Sequence, residues 1–299
     1  MKTNTLLQGE LLSAHTSFQI GGPADYYAQP KGEDFPLQAA SLLSWAKERS
    51  LPHFILGYGT NVLANDEGFP GLILDTRYWD RATVEPPAEP GAPRIIRASS
   101  GMTGDQLADF AEGRSLAGLE FLAGFPGSIG GAVYMNARCY DASISDVLES
   151  VEILDETFTN KTEPCKPEEF DYKTSPYQKR RVLILSARFR VRRGNRRKIH
   201  YKLMEHRADR ITKGHFCYPC AGSVFKNDRR LGKPVGQVIQ ELKLRGTQIG
   251  GARIADYHGN FIINTGGARA ADVKALIELM QKTVKERKGV DLEPEIVFL

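Results

Sequence analysis

The chain has 299 residues, 41% hydrophobic and 25% charged, with 40 Lys and Arg against 36 Asp and Glu for a formal net charge of +4. This composition excludes intrinsic disorder, collagen-like repeats and coiled coil, and a chain of this length buries enough surface for real cores without disulfide or metal staples. The mild positive charge suits anionic ligands and does not demand nucleic acid.

The first residues lack the apolar core of a signal peptide, and the best apolar run, 182–187, is far short of a membrane span. Cys139, Cys165, Cys217 and Cys220 are too few for a disulfide scaffold. The expectation is a soluble, cytoplasmic protein that binds no membrane.

Residues 18–24 form a turn rich in Gly and Pro that leads into an aromatic strand at Tyr26-Tyr27. Ala39, Leu42, Leu43 and Ala46 mark one face of a helix over 37–49, with Lys47 and Arg49 favourable in its last turn. A strand at Phe54-Ile55-Leu56 breaks into Gly57-Tyr58-Gly59-Thr60-Asn61-Val62-Leu63, and a second strand at 72–74 closes this part near Thr76. Residues 85–93, with Pro86, Pro87, Pro90 and Pro93, read as an exposed loop. A strand at Ile95-Ile96 and a helix over 104–113 precede the densest glycine cluster of the chain, residues 124–133.

Strands are expected at 147–154 and 182–192. Residues 179–198 are rich in Lys and Arg and hold no acid. Within them Arg188, Arg190 and Arg192 alternate with Phe189 and Val191, the period of a half-buried strand, which favours a solvated basic face over a nucleic-acid arm. A last domain follows: a polar helix around 201–210, then an amphipathic helix lined by Val273, Leu276, Ile277, Met280 and Val284. Gly289 stops that helix, and a terminal strand is expected over 292–299. The expected division is 1–76, 77–196 and 197–299.

Gly57-x-Gly59 is not a dinucleotide fingerprint, because Val62 stands where a third glycine belongs. Its glycines still allow backbone N–H groups to approach a diphosphate closely, and Thr60 and Asn61 add polar contacts. Either glycine loop alone reads equally well as a ligand-free tight turn; the two together, with Gly21-Gly22, favour a large anionic cofactor. Ser223 lies between small residues in 221–227 without a Gly-x-Ser-x-Gly elbow, and alone reads more simply as a turn serine. Cys217-Tyr218-Pro219-Cys220 has redox or half-zinc spacing, but no second such pair exists and no metal site is expected. His258 reads as a structural or ligand-positioning histidine rather than a general base.

Taken together, several segments resemble one family in its own order: residues 15–24, 57–63, 124–136, 172–175, 221–227, 249–252, 258–261 and 292–296. They are similar to the UDP-N-acetylenolpyruvoylglucosamine reductases, and the short link between the basic strand and the last domain resembles the subclass without an inserted substrate loop. The resemblance implies an α+β fold: a two-domain FAD-binding unit of vanillyl-alcohol-oxidase (PCMH) type, then a C-terminal α+β substrate-binding domain. It implies a peptidoglycan-pathway flavoenzyme with non-covalent FAD, working as a monomer. NADPH would be the co-substrate for reduction of UDP-N-acetylglucosamine enolpyruvate to UDP-N-acetylmuramate.

Carried over residue by residue, FAD contacts fall on Gly57, Tyr58, Gly59, Thr60, Asn61 and Val62, and on Gly124, Pro126, Gly127, Ser128, Gly130, Gly131 and Ala132. Ser223 matches the family's proton donor, and Glu295 the glutamate that supports developing negative charge by sharing or donating a proton. Tyr172, Lys226 and Asn227 match substrate contacts. Lys173 stands where the family usually has arginine, keeping the charge but losing the bidentate fork, which Arg180 or Arg181 would have to supply. Residues 137–141 and Asp228 also depart from the pattern. The rival readings are a flavin oxidase that passes electrons to oxygen, and a non-enzymatic anion- or nucleic-acid-binding protein resting on 179–198 alone.

Overall fold

The computed structural model describes residues 6–87, 89 and 92–299; the first residues of the leader reading and the centre of the proline loop lie outside the described residues. The chain forms two compact units. One holds the described residues up to Leu7 together with Tyr27–Gly57 and Gly71–Asp209; the other holds Gln8–Tyr26, Tyr58–Pro70 and Arg210–Leu299. The expected boundaries at 76 and 196 both fall inside the first unit. Two early segments build on the last third of the chain, since Phe18, Ile20 and Leu63 share one core with Val224, Phe261 and Leu292.

In the first unit, helix α1 (Phe35–Glu48) opens with Pro36 in its first turn and buries Phe35, Ala39, Leu42, Leu43 and Ala46, the face expected from their spacing. Strand His53–Leu56 then runs parallel to the end of strand Phe69–Asp75, in register from His53 against Leu72 to Leu56 against Asp75. An antiparallel sheet follows in the order Asn160–Pro164, Leu148–Leu154, Leu183–Arg193, Arg94–Ser99, Ala82–Glu85. In its long strand Ala187, Phe189 and Val191 are buried while the intervening arginines face acids, Arg188 against Glu85 at 2.9 Å and Arg190 against Glu149 at 2.7 Å. Arg190 and Glu149 pair between neighbouring strands, while Arg188 reaches Glu85 across the intervening strand Arg94–Ser99.

Helix α2 (Gly104–Glu112) carries a capping box between Thr103 and Gln106. Short helices α3 (Ile129–Tyr134) and α4 (Ile144–Val147) follow the glycine cluster, and α5 (Arg196–Thr212) is longer than the expected 201–210. Its buried residues Ile199, Leu203 and His206 have helical spacing, but the charges between them mask the pattern.

The second unit is an antiparallel sheet in the order Cys220–Ser223, Phe261–Asn264, Ala252–Ile254, Gln248–Ile249, with α6 (Val235–Glu241) and α7 (Ala270–Lys288). Gly289, at φ +70°, ends α7 in the left-handed conformation that glycine adopts without strain. The expected terminal strand over 292–299 is confined to Val297–Phe298, parallel to Val62–Leu63. Before it, residues 293–295 pair antiparallel with 224–226 instead, Pro294 standing opposite Phe225 in a position that needs no N–H toward that partner. Among the described residues no helix is long and apolar enough to cross a membrane.

Candidate active site

In the first unit, strand His53–Leu56 delivers Gly57 directly against the second glycine loop. A Cβ at Gly57 would lie 2.3 Å from Ser128 Oγ. That hydroxyl caps α3 by accepting the Gly131 N–H at 3.1 Å. Gly130 donates its N–H to the Ser100 carbonyl at 2.8 Å, and a Cβ there would come within 2.9 Å of Ser100 Cβ. Gly124, at φ +68°, donates to Asp105 Oδ1 at 2.6 Å, and the Gly127 carbonyl accepts from Gly104 at 3.0 Å. Beside these glycines Ser100 Oγ is buried with no hydrogen-bond partner among the described residues. Glycines that let the two loops pack this closely, with the unspent Ser100 hydroxyl beside them, fit a site for a flavin dinucleotide.

The other end of α3 holds the turn that carries Lys173. Asp171 and Thr174 close that turn on each other, and Lys173 sits inside it at φ +56°. Asn136 Nδ2 donates to the Asp171 carbonyl at 2.9 Å, while Ser175 Oγ and Gln178 Nε2 both donate to the Tyr134 carbonyl, at 2.6 and 3.0 Å. One short segment therefore runs from the glycine cradle to the lysine, with Tyr172 exposed next to it. Arg180 does not replace the missing fork, since its guanidinium is bidentate to Glu163 at 2.8 and 2.9 Å. Residues 138–143, where the family pattern is broken, form a tight hairpin with Tyr140 and Asp141 at positive φ. The Tyr140 ring stacks on His206 at 3.8 Å and its hydroxyl donates to the His206 carbonyl at 2.9 Å.

In the second unit Ser223 ends a strand that bulges against its partner, with Gly222 at φ +70° just before it. Beyond the bulge, Asn260 holds the chain on both sides of Phe225, and its own carbonyl accepts the Val224 N–H at 2.8 Å. The Glu295 N–H donates to the Val224 carbonyl at 2.7 Å, so the chain segments bearing Ser223 and Glu295 are joined one residue away from the serine. Lys226 pairs with Glu293 at 2.6 Å, and Asn227 Oδ1 accepts the Val235 N–H at 2.9 Å at the head of α6. Gly59, at φ +62°, packs so closely that a Cβ would lie 2.5 Å from the His15 carbonyl.

His258 accepts the Asn260 N–H on Nδ1 at 3.2 Å and packs on Phe261 at 4.2 Å; burial, with Arg245 nearby, holds its protonation below the usual histidine range. Cys217 is exposed and Cys220 buried, both as free thiols, and burial pushes the Cys220 thiol up. Among the described residues no cluster of three or more His, Cys, Asp or Glu is placed to hold a metal ion.

Residues 24–157 match the family model for an FAD binding domain, and residues 214–299 match that for the C-terminal domain of UDP-N-acetylenolpyruvoylglucosamine reductase. The UDP-N-acetylenolpyruvoylglucosamine reductase of Treponema denticola is 43% identical over 296 residues, covering 95% of this chain and 90% of that protein. This chain belongs to the UDP-N-acetylenolpyruvoylglucosamine reductase family.

The enzyme of that name from Borreliella burgdorferi is 36% identical, covering 100% of this chain and 96% of its own. The crystal structure of the Thermus caldophilus reductase superposes with a TM-score of 0.78 at 29% identity, covering 97% of this chain and 98% of that one. As a member of the reductase family the chain is an FAD-dependent oxidoreductase of peptidoglycan precursor synthesis with the expected α+β fold. Two residues that brace the segments on either side of Ser223 escape sequence reasoning. Asn260 reads only as part of a motif, and Ser17, whose N–H donates to the Gly59 carbonyl at 3.2 Å and whose hydroxyl donates to the Cys220 carbonyl at 2.6 Å, carries no local signal beyond its place in the opening segment.

Proposed function

We propose that the chain reduces the enolpyruvyl ether of UDP-N-acetylglucosamine enolpyruvate to UDP-N-acetylmuramate with NADPH. The observation that carries this reading is the hydrogen bond from the Glu295 N–H to the Val224 carbonyl, which ties the two segments bearing the family's acid groups together. The two glycine loops would hold FAD non-covalently, and the flavin chemistry supplied there would be hydride transfer between NADPH and the terminal enolpyruvyl carbon.

The remaining work falls to this chain's own side chains. Addition of hydride leaves negative charge on the neighbouring carbon and its carboxylate. Ser223 delivers a proton from Oγ to that carbon; a serine is a weak acid in water, but an enolate-like centre held against it is a strong base. Glu295 shares a proton with the developing charge, since a bare carboxylate there would repel it. Lys173 places one cation against the substrate carboxylate, a single strong contact in place of a fork. Tyr172 and Asn227 contact the substrate, and Lys226 meets its phosphates in exchange for Glu293. The glycines at 57, 59, 124, 127, 130 and 131, with Tyr58, Thr60, Asn61, Val62, Pro126, Ser128 and Ala132, bind the flavin. A monomer in the cytoplasm suits the nucleotide-linked substrate.

The test is an absorbance spectrum of the purified protein, bleached anaerobically with NADPH and then given the enolpyruvyl nucleotide. The flavin bands should return only with that substrate. Flavin that ignores the substrate but reoxidises in air would point to the oxidase reading instead. Ser223→Ala should bleach normally and recover severely more slowly; recovery at the unmodified rate would remove Ser223 from the reaction.

A further inference from the structure

The backbone of Glu295 is held at both of its polar groups. Its N–H donates to the Val224 carbonyl at 2.7 Å, and its carbonyl accepts Nδ2 of Asn61 at 3.0 Å. Asn61 follows the two glycines of the first loop and stands 234 residues from Glu295 in the chain. Its own carbonyl accepts the Val297 N–H at 2.8 Å, and the pairing continues as Val62 and Leu63 run parallel to Val297 and Phe298. The Asn61 carboxamide therefore extends this parallel ladder by one rung, onto the residue whose side chain is proposed to face the reacting charge. Immediately before, Pro294 stands opposite Phe225 in an antiparallel bridge flanked by the Lys226 N–H on the Glu293 carbonyl and the Glu295 N–H on the Val224 carbonyl.

We infer that Asn61 is a positioning residue for Glu295, coupling the first glycine loop to the acid group of the reaction, rather than only a flavin contact. Its side-chain donor is aimed at a backbone carbonyl of the terminal segment. Glu295 then has little freedom to shift along the ladder, because one side is fixed by the strand of Ser223 and the other by the glycine loop. Misplacement of a catalytic group by about 1 Å can cost about a hundredfold in rate, so a single anchoring bond at this point has leverage. This inference rests on the role proposed for Glu295.

The experiment compares Asn61→Leu, of similar volume without a donor, and Asn61→Ser, too short to reach the carbonyl. Three quantities are read: affinity of the apoprotein for FAD by fluorescence titration, the rate of bleaching by NADPH, and the rate of recovery with the enolpyruvyl nucleotide at saturating FAD. Whatever either variant loses in FAD affinity, at saturating FAD both should still bleach with NADPH, while recovery slows by about tenfold or more relative to bleaching. Adding Asn61→Leu to Glu295→Gln should slow recovery no further, because the two changes remove one function. A loss confined to FAD affinity, or two losses that multiply, would overturn the inference. Failure of the underlying reading looks different: Glu295→Gln alone would then recover at the unmodified rate.

Discussion

Asn260 and Phe225 exchange two hydrogen bonds: the Phe225 N–H donates to Asn260 Oδ1 at 3.1 Å and Asn260 Nδ2 donates to the Phe225 carbonyl at 2.8 Å. The carboxamide takes the place of a peptide group just where the sheet ladder fails after Ser223, and both residues are buried. Replacing Asn260 by Leu would leave an N–H and a carbonyl buried without partners, a cost of about 2–4 kcal/mol. Asn260→Asp keeps the acceptor but sets a buried carboxylate oxygen against the Phe225 carbonyl, so it should cost at least as much. Urea unfolding measures both; equal stability of all three proteins would show that the pair adds nothing.

The first glycine loop predicts a ranking. Gly57→Ala meets the Ser128 side chain, whose hydroxyl can turn aside at the cost of its cap on α3, whereas Gly59→Ala meets the His15 carbonyl at 2.5 Å and demands φ +62°. Gly59→Ala should therefore weaken FAD binding and stability more, by at least about 1 kcal/mol of strain in addition to the clash. The reverse order in FAD titration and thermal unfolding would contradict this placement.

Lys173 tests whether its position needs a cation or a particular shape. Lys173→Arg should retain activity within about tenfold, with the change mainly in KM for the enolpyruvyl nucleotide. Lys173→Met should lose far more at unchanged FAD affinity. Because Lys173 sits at φ +56°, neither variant changes the backbone cost of the turn. Complete inactivity of Lys173→Arg would mean that the lysine geometry itself is required.

A pH dependence follows from His258 and His53, both held below the usual histidine range by burial first, and then by Arg245 and Arg181 respectively. The unfolded chain takes up protons near pH 6.5 while these folded sites resist them. The stability is therefore full above that value and is lost as the pH falls through it toward the folded values. Urea midpoints should drop between about pH 7.5 and about pH 5.5. His258→Asn, which keeps an acceptor for the Asn260 N–H, should flatten the drop; an unchanged slope would assign it elsewhere.

Where burial imposes a period on side chains, the sequence by itself determined the outcome. Helix α1 falls over Phe35–Glu48 against an expected 37–49, and α7 ends at Gly289 as read. The alternating strand 183–193 and the order of the family's segments were equally legible, because apolar spacing and glycine requirements are local. The strand Asn160–Pro164 left no such trace, being polar and almost wholly exposed on the edge of its sheet. Only the tertiary structure decided that Val62–Leu63 would pair with Val297–Phe298, that Asn260 would stand in for a missing rung at Phe225, and that Ser17 would brace Cys220. Backbone groups are the same in every residue, so the pairing of distant strands is written in the packing around them rather than in the paired residues themselves.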